Sequence, residues 1–134
     1  MGVVRLILLD SHVLIWMFSD SKRLSRAAAS AIRRARQGSG LAVSAISSYE
    51  VAWQIASGRV QGYTTVEASL LRFLEGIEVW PITPQIAALA TQFPDDYPHD
   101  PADRIIGATA RAEGMTLVTR DERIRRSPLV RTVW

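Results

Sequence analysis

Cysteine is absent from this 134-residue chain, which excludes thiol nucleophiles, thiolate metal sites and any disulfide framework. That absence fits a reducing compartment, and the expected location is cytoplasmic. Lysine is nearly absent as well: Lys22 is the only one, so fifteen of the sixteen positive residues are arginine. There are only two histidines, His12 and His99, and neither stands in a motif that would mark a nucleophile or its base. No apolar run is long enough to span a bilayer. The run over residues 3–9 is too short, and it lacks both the long apolar core and the small-residue cleavage site of a secretory signal; it reads as a strand. What remains is a chain with 48% hydrophobic residues, enough for one core without staples, and a single domain over residues 1–134 is expected.

The kind of base matters more than the formal charge of +3. Arginine's planar fork binds phosphate oxygens bidentately and stacks on bases, whereas lysine acts as a point charge. Arg120, Arg123, Arg125, Arg126 and Arg131 crowd the last fifteen residues, and Arg33, Arg34 and Arg36 form an earlier group. Either cluster alone reads equally well as a solvated helix face or a basic tail. Together with an acidic site they point toward nucleic acid.

Strand and helix signals alternate along the chain. "VVRLILLD" is an apolar run ending in an acid, as expected of a central parallel strand buried on both faces. "HVLIWMF" continues as a short apolar helix. Ser25 caps "RAAASAIRRARQ", whose Ala28, Ala31, Ile32 and Ala35 make an apolar stripe that Gly38 ends. "LAVS" reads as the second strand, a helix follows from Ser47, and another from Thr65 to Gly76 turns Val66, Leu70, Phe73 and Leu74 inward. "EVWPI" reads as the third strand. Thr83-Pro84 and Asp100-Pro101 each open a helix as cap and first residue, the second ending at Gly114. "MTLVT" and "LVRTVW" supply the last strands. The pattern predicts an α/β domain with a mainly parallel sheet.

Four acids, Asp10, Glu50, Asp103 and Asp121, stand where an apolar segment ends or a helix begins. Each has a plain structural account: Asp10 and Asp121 as helix caps, Glu50 as the third helical residue of a capping box opened by Ser47, and Asp103 as a favourable charge in a helix's first turn. Those accounts do not explain why all four fall at the carboxyl edge of one sheet, where open parallel sheets gather ligand-binding residues. Two charges about 5 Å apart repel by roughly 3 kcal/mol at an effective dielectric near 20, and a divalent cation removes that conflict. Magnesium and manganese take oxygen ligands, commonly one or two carboxylates with substrate phosphate and water. His12 reads as a packed helix residue, while His99 lies in a Pro-rich loop beside the third acid. Trp16, Met17, Trp53 and Ile55 read mainly as core; any left exposed as a patch would mark a protein interface.

The segments "LILLDSHVLIW", "SAISSYEVAWQIASGRV" and "HDPADRIIGATARAEGMTLVTRDERI", with the closing strand, resemble a PIN domain of the VapC toxin type, in order and over nearly the whole chain. The resemblance implies a PIN-like three-layer α/β/α sandwich. It also implies a magnesium-dependent endoribonuclease, manganese being the alternative ion, in which metal-activated water cuts RNA to leave a 5′-phosphate and a 3′-hydroxyl. Asp10 and Asp103 resemble the direct metal ligands, with Glu50 and Asp121 completing the pocket. Ser11 and Thr119 match hydroxyl positions that orient these carboxylates, serine standing at position 11 where threonine is common. Asp100 matches an additional aspartate of the "DP.DR" turn and reads first as a cap. The partners implied are a VapB-type antitoxin, an RNA substrate, and a second copy or a heteromer with the antitoxin, with no membrane. The antitoxin would lie over the helices bearing Trp16 and Trp53.

Other families that begin with a strand-end aspartate fit less well. A haloacid dehalogenase needs a second acid where His12 stands, and a response-regulator receiver needs a late lysine that Lys22 cannot supply. A PIN nuclease without an antitoxin, and a non-catalytic RNA- or protein-binding module with a structural metal, remain as alternatives.

Overall fold

The structure, a computed structural model, describes residues 6–134; residues 3–5 of the expected first strand lie outside that range. Among the described residues five strands form one sheet: β1 (Ile7–Leu9), β2 (Leu41–Ser44), β3 (Ile77–Trp80), β4 (Thr116–Val118) and β5 (Thr132–Val133). Their order is β3-β2-β1-β4-β5, and every pairing is parallel, with Leu8 opposite both Ala42 and Leu117. The sheet is thus wholly rather than mainly parallel. From β1 the chain winds outward to β2 and β3, then returns to place β4 on the other side of β1. The strand order therefore reverses between β1 and β4, which is where open α/β sheets open a crevice at their carboxyl ends.

Alternation along each strand divides the core in two. Leu8, Ala42 and Leu117 pack on one face with Ile86, Phe93, Tyr97, Ile106 and Ile124. Leu9, Leu41, Val43 and Val118 pack on the other with Val13, Leu14, Ile32, Val51 and Phe73. The first face is covered by α5 (Pro84–Ala90), α6 (Pro101–Glu113) and α7 (Glu122–Arg126); the second by α1 (Ser11–Ser19), α2 (Arg26–Gln37), α3 (Ala45–Ala56) and α4 (Val66–Phe73). This is the expected three-layer sandwich, and two-sided burial explains why β1 reads as a continuous apolar run. No helix among the described residues is long and apolar enough to cross a membrane.

Local signals set most boundaries. Ser25 Oγ accepts from the Ala28 amide, Thr65 Oγ1 from Ala68, Thr83 Oγ1 from Ile86, and Gly114 ends α6 at φ 66°. Four boundaries or faces differ from expectation. Helix α3 begins at Ala45, directly after β2, because Ser44 rather than Ser47 is the cap, its Oγ accepting from the Ile46 amide. Glu50 is then not the third residue of that helix, and the capping box does not form. Helix α4 stops at Phe73 rather than Gly76, and Val66 on its first turn is exposed while Phe73 is buried. Strand β3 takes in Ile77 but not Pro81 or Ile82, and proline's missing amide donor accounts for the stop.

Helix α6 is pressed close against its neighbour. A Cβ on Gly107 would overlap the Tyr97 hydroxyl and stand 2.9 Å from Phe93 Cε2, so glycine permits the approach. Tyr97 is buried, and its hydroxyl has no hydrogen-bond partner among the described residues. Burial first, then the charge of Asp103, pushes its ionisation up.

Candidate active site

Asp10 follows β1 and occupies the cap position of α1, yet its side chain makes no cap hydrogen bond. Instead Oδ2 accepts from Thr119 Oγ1, 2.8 Å away at the end of the neighbouring strand β4. Asp10 is only 7% exposed, and its own amide donates to the Val118 carbonyl, tying the two strand ends together. The simple capping account of Asp10 therefore fails. Thr119, fully buried, serves both sides of the junction, because its Oγ1 also accepts from the Asp121 amide at 3.2 Å.

Asp121 does cap α7: Oδ1 accepts from the amides of Arg123 (2.9 Å) and Ile124 (3.1 Å), which leaves Oδ2 for another partner. Asp103 stands in the first turn of α6 but is not its cap. That role belongs to Asp100, whose Oδ1 accepts from Ala102 at 2.8 Å and from the Asp103 amide at 3.4 Å. Asp10, Asp103 and Asp121 line one open cavity of about 580 Å³ together with His12, Trp16, Arg23 and Arg120. It sits at the β1/β4 reversal. Glu50 and Asp100 are not lining residues; Glu50 is joined to the site through Ser11, whose Oγ lies 2.6 Å from Glu50 Oε1 and 2.8 Å from Ser47 Oγ.

The electrostatics of the cluster are dominated by burial and by mutual repulsion of the carboxylates. Burial pushes the Asp10 carboxyl above the usual carboxylate range, against the hydrogen bond from Thr119, His12 and the Ser11 amide, while Asp121 adds to the rise. Glu50 is raised chiefly by burial, offset by the Ser11 hydroxyl and increased by Asp100 and Asp10. Asp103 is pushed up to about 7, first by burial and then by Asp10, Asp100, Asp121 and Glu50, all in the same direction. Near neutral pH the cluster therefore takes up a proton unless a cation joins it.

The donor set is all oxygen, which suits a hard divalent ion. Among the described residues no group of three or more His, Cys, Asp or Glu stands close enough to hold a metal ion by itself. The fit to such an ion rests on the donor chemistry: Asp10 and Asp103 offer carboxylate oxygens to one cavity, and magnesium commonly uses one or two carboxylates and completes its shell with water and phosphate.

His12 is exposed and lines the cavity rather than packing into the helix, its ring 5.9 Å from that of Trp16. His99 does not line it; its Nε2 lies 3.0 Å from the Asp95 carbonyl. Trp16 is half-buried at the cavity wall, whereas Trp53 is 56% exposed. Arg23 was carried by no motif: it is the last residue of a single 3-10 turn (Ser21–Arg23), and only the fold brings it to the acids.

The PIN domain family model matches residues 7–128. The chain is 45% identical over 130 residues to ribonuclease VapC22 of Mycobacterium tuberculosis, which covers 96% of this chain and 98% of that protein. Its fold is similar to that in the crystal structure of VapBC2 from Rickettsia felis bound to a DNA fragment from their promoter, with a TM-score of 0.74 at 15% identity, covering 96% of this chain and 97% of the other. A toxin–antitoxin complex from Klebsiella pneumoniae aligns with a TM-score of 0.63 at 25% identity, over 92% of this chain and 94% of the other.

Proposed function

The chain belongs to the PIN domain family, in its VapC-type branch, and we propose that it is a divalent-metal-dependent endoribonuclease, the toxin half of a toxin–antitoxin pair. The observation that carries this is the convergence of Asp10, Asp103 and Asp121 on one cavity at the β1/β4 reversal, with Glu50 beside it and, among the described residues, no basic group ion-paired to any of them. The 45% identity to a ribonuclease over almost the whole chain supports it.

Asp10 and Asp103 are the direct ligands for magnesium, or for manganese in its place. Such an ion supplies Lewis acidity to the phosphodiester and lowers the pKa of water beside it. The chain's own residues provide the rest. Thr119 fixes the Asp10 carboxylate so that Oδ1 is free to bind, and Ser11 does the same for Glu50. Glu50 and Asp121 orient water from the edge of the site, Asp121 being held in place by its cap bonds to α7. Water adds to phosphorus, the bond to O3′ breaks, and the ends are a 5′-phosphate and a 3′-hydroxyl. Asp100 serves as the cap that sets the first turn of α6 and adds negative charge nearby.

The antitoxin docks on the exposed sides of α3 and α4 and the segment between them. Tyr49, Trp53, Tyr63 and Leu71 are all more than half exposed there, a concentration of large apolar side chains that marks a protein interface. Trp16 belongs to the cleft instead.

Short expression followed by sequencing of RNA ends, for the wild type and for Asp10→Asn and Asp103→Asn, tests this reading. New 5′-phosphate ends are expected from the wild type only, with both variants folded. Ends that persist in both variants would sink the assignment and favour a module whose metal is structural.

A further inference from the structure

The cavity has a second wall that the metal chemistry leaves unused. The Arg23 guanidinium lies 4.5 Å from the centre of the Trp16 ring and that of Arg120 lies 5.9 Å from it, within the range of cation–π attraction. Trp16 is a firm platform. It packs against the core cluster containing Leu14 and Val118, and the rings of His12 and Trp134 each stand 5.9 Å from it. Both arginines share the cavity with three carboxylates, yet among the described residues neither guanidinium makes an ion pair or hydrogen bond. Stacking thus holds two cations beside three anions with every N–H donor free.

A group that bridges such a cleft carries negative charge for the arginines and binds a cation for the acids. A chain of phosphodiesters meets both demands: one phosphate lies at the acids, and the next reaches the guanidinium forks, whose geometry matches phosphate oxygens. We infer that Arg23 and Arg120, positioned by Trp16, form the subsite for the phosphate flanking the one that is cut. The inference rests on the nuclease reading above. Because phosphate contacts carry no base information, this subsite sets the register of the RNA and requires a phosphate beside the scissile one, leaving sequence choice to other surfaces.

The full chain carrying Asp103→Asn, which should bind RNA without cutting it, provides the test. Its affinity for a short fluorescent single-stranded RNA is measured by anisotropy over a range of salt, with Arg23→Gln, Arg120→Gln and their combination added. Each exposed arginine is expected to account for about a tenfold rise in Kd, and each loss should reduce the steepness of log affinity against log salt by about 0.7. Arg23→Lys and Arg120→Lys should keep that steepness while binding less tightly, because charge survives and the fork does not. Arg59→Gln, an exposed arginine beyond the end of α3, should change neither. Unchanged affinity and salt dependence in the double variant would overturn the subsite and leave the nuclease reading standing if the wild type still cuts RNA. A wild type that neither binds nor cuts RNA overturns both.

Discussion

Asp10 on one wall of the cleft is buried and hydrogen-bonded by a threonine 109 residues away in the chain; Arg23 on the other wall is exposed and touches little but an indole ring. The acids are built into the ends of β1 and β4 and the first turns of α6 and α7, so their positions are as rigid as the sheet. The arginines are side-chain arms leaning on Trp16. The difference matches what each wall is asked to hold. A small ion needs ligands placed within a fraction of an ångström, whereas a phosphate on a flexible strand needs charge and a fork that can adjust.

The comparison is broken most severely on the acidic wall. Asp10→Asn and Asp103→Asn are expected to lower RNA cleavage by at least about a hundredfold, with Glu50→Gln and Asp121→Asn losing less because their carboxylates act from the margin. Rate assays at saturating manganese check that ranking, and equal losses at all four positions would erase it. Thr119→Val removes both the donor to Asp10 and the acceptor for the Asp121 amide while keeping the volume. A loss of about tenfold or more in cleavage is expected, together with about 1–3 kcal/mol of stability from the unsatisfied buried groups. Chemical denaturation and the same assay read the two effects. Gly107→Ala should cost about 1–3 kcal/mol through overpacking against Tyr97, and adding Tyr97→Phe should restore part of it, since the hydroxyl is the atom a Cβ meets first.

The smallest effect is one of pH. The Asp103 carboxyl is pushed up to about 7 in the folded chain from its ordinary value of 3.8, so between these limits the folded chain binds more protons than the unfolded one. Stability without metal should therefore fall as pH rises from about 4 to about 7, with Asp10 and Glu50 shifted in the same direction. The loss attributable to Asp103 is on the order of 1 kcal/mol once its partial exposure is discounted for solvent screening. Asp103→Asn should flatten the slope, and melting scans across that interval would show it.

The acidic wall was legible in the sequence because local chemistry marks it. Asp10 ends an apolar run, Asp100-Pro101 opens a helix three residues before Asp103, and Asp121 follows "LVT" at the end of a strand. The start of α3 was misplaced because Ser44, Ser47 and Ser48 offer the same cap chemistry, and only the direct passage from β2 selects Ser44. That passage also turns Glu50 from a capping residue into the acceptor of Ser11. The basic wall was not legible: Trp16 and Arg23 meet only through the fold, and Arg120 was indistinguishable from the tail arginines around it. His12 read as a core residue because its helix neighbours are apolar, but one helix position among them faces the cleft.

The central claim is that these acids stand together unpaired because a divalent ion completes them. Manganese uptake at pH 8, followed by electron paramagnetic resonance of the free ion, tests it most directly. The wild type should remove manganese from solution, with Asp10→Asn and Asp103→Asn each binding at least about tenfold more weakly. Uptake equal in all three proteins would contradict the account.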